Sequence, residues 1–416
     1  MRVAHVLRKY NPAEWGGTET ALQRLFDGLR PEGVTPVVFC PQIDGSGSVE
    51  DPFERAGYPM KRFRACVPIW GLPVEEKHQH IAVGGNLMSF DLLPALWRER
   101  DVQAIHSHTL GRLGGIGMTV ARRRKMPFVV TIHGGVLDLP ERLKQDFASA
   151  PERGWEWGKI FGLLLKARHV LDNCDAILTC NPREAALMRE KYPGKRVQVQ
   201  PHAVSTAVFE RDAREAAHKA FPQIRGKEIL LCVGRIDPVK NQGWLIEEMP
   251  DVLERHPKAM LVLAGACTDK HYGVQLLQRI GKLGLETHVL LTGGLPPGDP
   301  RLLGLFQEAA MVLLPSISET FGLVILEAWA AGAAPVSSRT SGARSLIQHG
   351  ENGFLFDLER PASFHESIDA LLANKNRAKD FGARGQAHVK AEFDSQVLAR
   401  RVKNLYEELI AEKKGV

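Results

Sequence analysis

Two carboxylates, Glu319 and Glu327, enclose the run Thr320-Phe321-Gly322-Leu323-Val324-Ile325-Leu326. Upstream, the pair Gly234-Arg235 is followed by Lys240. An arginine and a lysine beside the open amides of a helix start are groups that bind a diphosphate. Cations so placed can also neutralise a departing nucleotide diphosphate, a task that a metal performs elsewhere. A glutamate within Leu-Val-Ile-Leu-Glu-Ala-Trp is hard to bury alone, and a pair of sugar or ribose hydroxyls would satisfy it. Eight residues at ~100° each return to nearly the same azimuth, so on a continuous helix Glu319 and Glu327 would face one ligand. Each feature also has a plainer account. Loops commonly carry exposed Arg and Lys. The helix dipole favours an acid at its start. Glu327 could pair with an arginine inside the fold.

Further along the chemistry thins out. His106-Ser107-His108 ends an apolar run, and two histidines at i and i+2 on a strand share a face. Zinc takes three or four ligands, no convincing third accompanies them, and the chain lacks a D-x-D. No metal site is expected. The run Arg122-Arg123-Arg124-Lys125 closes a helical pattern, where cations suit the dipole or attract anionic lipid. The six cysteines are scattered without a C-x-x-C pair, which predicts buried free thiols in a reducing cytoplasm.

The elements that must position these residues alternate short β-rich runs with helical patterns. Strands are expected at Arg2–Leu7, Val34–Phe39, Ala104–His108, Phe128–Ile132, Ala176–Thr179 and Val197–Gln200. A second series follows at Ile229–Val233, Met260–Ala264, His288–Leu291, Met311–Leu314, Ala334–Ser337 and Phe354–Phe356. Such alternation predicts an α/β chain of two Rossmann-like, doubly wound domains facing a cleft. Their boundaries are expected at residues 1–205 and 206–394, with 208–221 as a polar spacer. A terminal helix over 395–416 would bury Leu398, Val402, Leu405 and Leu409 as one stripe against the N-terminal domain. Ligands of open parallel sheets sit beyond the carboxyl ends of the strands, where the motifs fall.

Glu319-x7-Glu327 with Phe321-Gly322-Leu323 inside it resembles the E-x7-E motif of family 4 retaining glycosyltransferases. Gly234-Arg235…Lys240 resembles their G-R-x-x-x-x-K element. Gly16-Gly17 is similar to the family's glycine-rich loop and Thr131-Ile132-His133-Gly134 to its histidine after a strand. Pro201-His202-Ala203-Val204 resembles P-N-G-V, with His in place of Asn. Ser341-Gly342-Ala343-Arg344-Ser345 departs from the family's S-G-G-x-P-E, so its acid has no counterpart here. The resemblance spans nearly the whole chain and implies a GT-B fold (glycosyltransferase group 1). It implies that His133, Glu319, Arg235 and Lys240 form the catalytic set. Gly16, Gly17, Gly234, Thr292, Gly293, Phe321, Gly322, Leu323 and Glu327 would bind the donor. Glu319 would meet sugar hydroxyls, Glu327 the ribose, and Thr292-Gly293 the base. No cofactor is implied. The substrate would be a UDP- or GDP-linked sugar, used without a metal.

The net charge of +6 belongs to the first half: residues 1–200 hold 28 Lys/Arg and 22 Asp/Glu, the remainder 26 of each. A basic half favours anionic partners. The expected partners are a nucleotide-sugar donor, a glycan or lipid-linked acceptor and an anionic membrane surface, without nucleic acid. The N-terminal apolar run is too short for a signal peptide and no run is long enough to span a membrane. A cytoplasmic enzyme, peripheral at the inner face of the plasma membrane, is the resulting expectation, in cell-surface polysaccharide or glycolipid assembly. An epimerase or phosphorylase on the same fold, or a non-catalytic nucleotide-sugar-binding protein, are the alternatives. A dehydrogenase is disfavoured because no G-x-G-x-x-G follows the first strand.

Overall fold

The computed structural model describes residues 1–12, 15–42, 51–85, 87–134, 136–137 and 155–415. The chain divides into two compact units, one formed by Met1–Pro201 with Ser395–Val416 and the other by His202–Asp394. The division precedes the expected 205/206 boundary because Val204 bridges to Asp394, and the Asp394 carboxylate accepts from the amide and hydroxyl of Thr206.

The strands in chain order are β1 (Arg2–Val6), β2 (Thr35–Pro41), β3 (Met60–Phe63), β4 (Ile69–Trp70), β5 (Ala104–Ser107), β6 (Phe128–Ile132), β7 (Trp155–Glu156), β8 (Ala176–Thr179) and β9 (Arg196–Val199). Apart from the antiparallel pair β4–β7, they form one parallel sheet in the order β3-β2-β1-β5-β6-β8-β9. Central strands covered on both faces need apolar residues throughout, and Phe-Val-Val-Thr-Ile of β6 is buried at every position. Strand order reverses between β1 and β5. The helix Ser395–Lys414 covers one face of this sheet beside the helix Gly17–Leu29. Its stripe Leu398, Val402, Leu405 and Leu409 is buried, as is Tyr406. Gly28 permits this approach, since a Cβ there would overlap the Ser395 carbonyl oxygen.

The second unit holds β10 (Glu228–Val233), β11 (Ala259–Ala264), β12 (Val289–Gly293), β13 (Ala309–Leu314), β14 (Pro335–Ser338) and β15 (Phe354–Phe356). They form a parallel sheet in the order β12-β11-β10-β13-β14-β15, reversing between β10 and β13. The stretch expected as a spacer is structured. Helix Arg214–Ala220 lies on helix Pro300–Glu308, burying Ala213 and Ala217 against the close approach of Gly304. Alanines form this contact, so no stripe of large apolar residues announced it. Strand β3, Met-Lys-Arg-Phe, was unexpected because two charges fill its centre.

A Gly28→Val chain should show the terminal helix displaced. Forcing methyl groups into a packed contact costs about 1–3 kcal/mol. A melting curve should therefore shift downward by several degrees, and an unchanged curve would show that the two helices do not need this proximity.

Candidate active site

In the second unit the loops leaving β10 and β13 lie side by side where strand order reverses, the usual ligand position of a doubly wound sheet. They are tied in three places. The Ile317 amide donates to the Val239 carbonyl at 2.9 Å. The Asn241 side-chain amide donates to the Pro315 carbonyl at 3.2 Å. The Lys240 ammonium meets the Glu319 carboxylate at 2.5 Å. The loop of β10 turns because Asp237 accepts from the Val239 and Lys240 amides. Gly234 leaves the strand with φ +148° and the Lys240 stem runs over it, 3.7 Å from where a Cβ would stand. Arg235 lies on the solvent side of the same loop, its guanidinium 3.3 Å from Asp237. Its carbonyl accepts from the buried Gln242 at 2.8 Å.

The helix Leu323–Ala330 begins after Gly322, whose φ of +95° a side chain would resist. Glu319 therefore lies in a non-helical loop, and the expectation that it shares a helical azimuth with Glu327 is corrected. Helical period applies only from Leu323 onward. Glu319 is placed instead by its own carbonyl, which accepts from the Gly342 amide at 2.9 Å. Gly342 presses on Phe321, where a Cβ would stand 2.6 Å from backbone atoms. Phe321 is buried and edge-on to His202, 4.9 Å between ring centroids. Glu327 is half-buried in the second turn of the helix. Thr292 and Gly293 end the edge strand β12, with Gly293 at φ +73° and exposed. Arg344 and Ser345 are exposed on the helix Ser341–Leu346.

In the first unit Gly16 and Gly17 open the helix Gly17–Leu29, and the Gly16 amide donates to Glu19 at 3.2 Å. His133 follows β6. The next loop is held by Glu184, one carboxylate oxygen of which accepts from the Val136 and Leu137 amides at 3.0 Å each. The sheet also brings His5 of β1 against the two histidines at the end of β5. His5 Nδ1 is 2.9 Å from His108 Nε2, and His108 Nδ1 is 2.8 Å from His133 Nε2. His106 faces the Tyr406 hydroxyl at 2.5 Å and the Thr131 hydroxyl at 2.6 Å. Thus His5, His106 and His108 form the three-histidine cluster that the i, i+2 pair alone did not reveal. The signal was a histidine within Val-Ala-His-Val, an otherwise apolar strand.

Other expectations resolve unevenly. The basic run is partly structural, since Arg124 donates to the carbonyls of Leu96, Glu99, Arg100 and Val102. All six cysteines are free, but Cys267 is exposed and Cys66 half-buried. Burial pushes the Cys232 thiol up to about 12, with the nearby Lys240 charge opposing. The loop residues Asp237, Asn241 and Gln242 were not singled out. Asp before Pro, and Asn before a helix, were their available signals.

Burial, aided by the charge of His106, holds the His5 imidazole well below its ordinary range, and burial alone lowers His106 from 6.5 to about 3. An unfolded chain takes up these protons below pH ~6.5. The folded chain does so only far lower, so this stability is complete above pH ~6.5 and is lost as the pH falls towards 3. Unfolding stability should be level near pH 7 and, below the unfolded histidine pKa of ~6.5, fall with a slope approaching roughly 1.4 kcal/mol per pH unit for each histidine. His106→Gln should flatten that slope, and an unaltered slope would mean that His106 titrates normally.

Comparison with known proteins agrees with this architecture. The Glycosyl transferase 4-like domain matches residues 16–203, and Glycosyl transferases group 1 matches residues 213–388. The D-inositol 3-phosphate glycosyltransferase of Corynebacterium jeikeium is 26% identical across 98% of this chain and 97% of its own. The putative glycosyltransferase YtcC of Bacillus subtilis is 23% identical across 97% and 90%. Among solved structures, the sucrose-phosphate synthase of Thermosynechococcus elongatus is similar with a TM-score of 0.74, 21% identity and 99% of each chain covered. Anabaena HepE in complex with UDP and glucose gives a TM-score of 0.72 at 17% identity, covering 98% of this chain and 100% of that one. These neighbours share the two-domain α/β architecture of the GT-B fold. With one family match following the other along most of its length, the chain belongs to the group 1, family 4-like glycosyltransferases.

Proposed function

We propose that the protein is a retaining, metal-independent transferase that moves a sugar from a UDP- or GDP-linked donor to a hydroxyl of a glycan or lipid-linked acceptor. The supporting observation is the Lys240–Glu319 pair at the strand-order reversal, held by two further ties between its loops. A diphosphate placed there carries more negative charge than one carboxylate and competes for the ammonium. Glu319 is then released as an acceptor for sugar hydroxyls, already positioned by the Gly342 amide. Arg235 turns from Asp237 to the same diphosphate, and the amides opening the helix at Leu323 add to it. His133 meets the donor sugar, Glu327 the ribose, and Thr292-Gly293 the base. Gly17 offers a backbone contact to phosphate or acceptor, and Gly16, its amide held by Glu19, shapes the loop beside the donor.

In the transfer the acceptor oxygen bonds to the anomeric carbon on the face from which the phosphate departs. The carbon–phosphate-oxygen bond breaks as its electron pair goes to the diphosphate. The acceptor proton passes to the leaving phosphate oxygen. Lys240 and Arg235 stabilise charge as it develops on that oxygen, so no cofactor is needed. Similarity to HepE, solved with UDP and glucose, makes UDP-glucose the first donor to test. A relative named for D-inositol 3-phosphate adds an anionic polyol to the acceptors worth testing.

Thermal-shift measurements with UDP and GDP sugars test the phosphate site, since a ligand of the folded state raises the melting temperature. Lys240→Ala should lose most of the shift, and an undiminished shift would remove Lys240 from the site. Glu319→Ala should retain nucleotide binding while turnover falls by about 100-fold or more. Normal turnover would exclude Glu319.

The acceptor reading extends to an anionic membrane surface, as in cell-surface polysaccharide or glycolipid assembly on the inner face of the plasma membrane. In the basic first unit, Ile160, Leu163 and Leu164 of the helix Lys159–Leu164 are exposed. The Phe161 ring of the same helix abuts Phe90 at 5.5 Å. Among the described residues no helix is long and apolar enough to cross a bilayer. Apolar side chains beside a cationic surface suit insertion among anionic headgroups. The chain should sediment with phosphatidylglycerol vesicles and less with phosphatidylcholine. A Leu163→Ser/Leu164→Ser variant should lose this binding, and equal sedimentation with both vesicles would refute the charge-based part.

A further inference from the structure

Gln242 is the first residue of the helix Gln242–Arg255 and is only 1% exposed. A buried side-chain amide normally has both its donor and its acceptor end bonded. Here one end alone is used. Nε2 donates to the Arg235 carbonyl at 2.8 Å, while Oε1 is buried with no partner among the described residues. Turning the amide over would set oxygen against oxygen, so the carbonyl fixes its orientation. A methionine of similar length would fill the same space without stranding a buried oxygen. Local costs of this kind gather at functional sites, and the one use of this amide is its bond to Arg235.

That bond completes the hold on a single peptide plane. A trans peptide points its C=O and N–H in opposite directions. In the plane joining Arg235 to Ile236, the N–H donates to the Ala266 carbonyl at 2.9 Å and the C=O accepts from Gln242. On the other side of Arg235, the Gly234 amide donates to the Ala264 carbonyl at 3.0 Å. The neighbours of Gln242 are fixed in turn. Asn241 reaches the Pro315 carbonyl, and the Gly243 amide donates to the Tyr272 hydroxyl at 2.9 Å. Bonded at both ends, the plane resists rocking. It sets the direction in which the Arg235 side chain leaves the backbone, although the guanidinium itself is exposed.

We propose that Gln242 is a positioning residue that aims Arg235 at the donor diphosphate by locking the Arg235–Ile236 peptide plane. Its part in transfer rests on the reading that Arg235 meets the diphosphate. The lock itself rests on the second unit alone. A guanidinium stands several rotatable bonds from its Cα, so a small tilt at the root becomes a large displacement at the head. Charge on the leaving oxygen develops in the transition state. A misaimed arginine therefore lowers the rate more than it weakens ground-state binding.

The test is a double-mutant cycle in the full-length chain. Turnover is read as nucleoside diphosphate release from the UDP or GDP sugar that gives the largest thermal shift. Gln242→Met should lower kcat roughly tenfold with less than about a threefold change in donor KM. Gln242→Glu keeps the shape but sets a carboxylate against the Arg235 carbonyl, and should lower kcat at least as far. Neither substitution should cost further rate in an Arg235→Ala chain, because a residue that acts through Arg235 then has nothing to aim. Each variant is assayed well below its own melting temperature. For Gln242→Met this should lie near that of wild type, since the bond and the stranded oxygen are removed together. Full kcat in Gln242→Met overturns the proposal. So does an equal loss with and without the Arg235 side chain, which would make Gln242 a general support of the fold and leave Arg235 at the diphosphate. If Arg235→Ala alone leaves turnover and thermal shift intact, the placement of Arg235 at the diphosphate falls, and the aiming role falls with it.

Discussion

A lysine ammonium and a glutamate carboxylate meet where two parallel strands part company, and the proposed chemistry follows from that contact. The pair is about a quarter exposed, so each charge keeps some water while feeling its partner strongly. Each group holds the other in place until an anionic ligand competes for the ammonium. What fixes the pair is the hydrogen bonding of its loops: a carbonyl-to-amide bond between adjacent loops, an asparagine side chain across them, and an aspartate that turns the first loop. Rigid supports of this kind hold a long lysine side chain in one place.

The first unit gathers its buried polar residues by the same topological rule. Its strand order also reverses beside β1, and there the sheet gathers imidazoles instead of an ion pair. Burial keeps the inner rings neutral, and hydroxyls from Thr131 and Tyr406 satisfy His106. One unit thus uses fixed opposite charges and the other fixed uncharged polarity.

Much of this was legible from residue order. Twelve strand cores were visible as short apolar runs, since parallel sheets buried on both faces leave little room for polar positions. The loop motifs after β10 and β13 were legible because Gly, Arg, Lys and Glu stand out beside such runs. What escaped notice depended on small residues or distant partners. The helix Arg214–Ala220 buries alanines. The helix Lys375–Glu392 packs through Gly382 and Gly385, the latter against the Trp329 ring, and a glycine does not look like a packing residue. The Lys240–Glu319 contact joins residues on different strands, and no local pattern encodes it. The eight-residue spacing of Glu319 and Glu327 sets no common azimuth because the chain before Leu323 is a loop and not the first turn of a helix. His5 escaped because a lone polar residue in a strand declares neither its neighbour nor its purpose.

Tyr406 reaches His106 from the helix Ser395–Lys414, so the first sheet's central polar ring is completed by residues that follow the second unit in sequence. The whole second unit, His202–Asp394, emerges in between. At ~5–20 residues per second its translation takes roughly 10–40 s. Throughout that interval Val3 of the nascent sheet and Leu22 and Phe26 of the helix Gly17–Leu29 lack Val402, Leu405 and Leu409, with which they share a core. The inserted unit, continuous in sequence, can close while its host waits. During biosynthesis the order of maturation is therefore reversed relative to the order of emergence from the ribosome, and the half-built sheet is the species most in need of a chaperone.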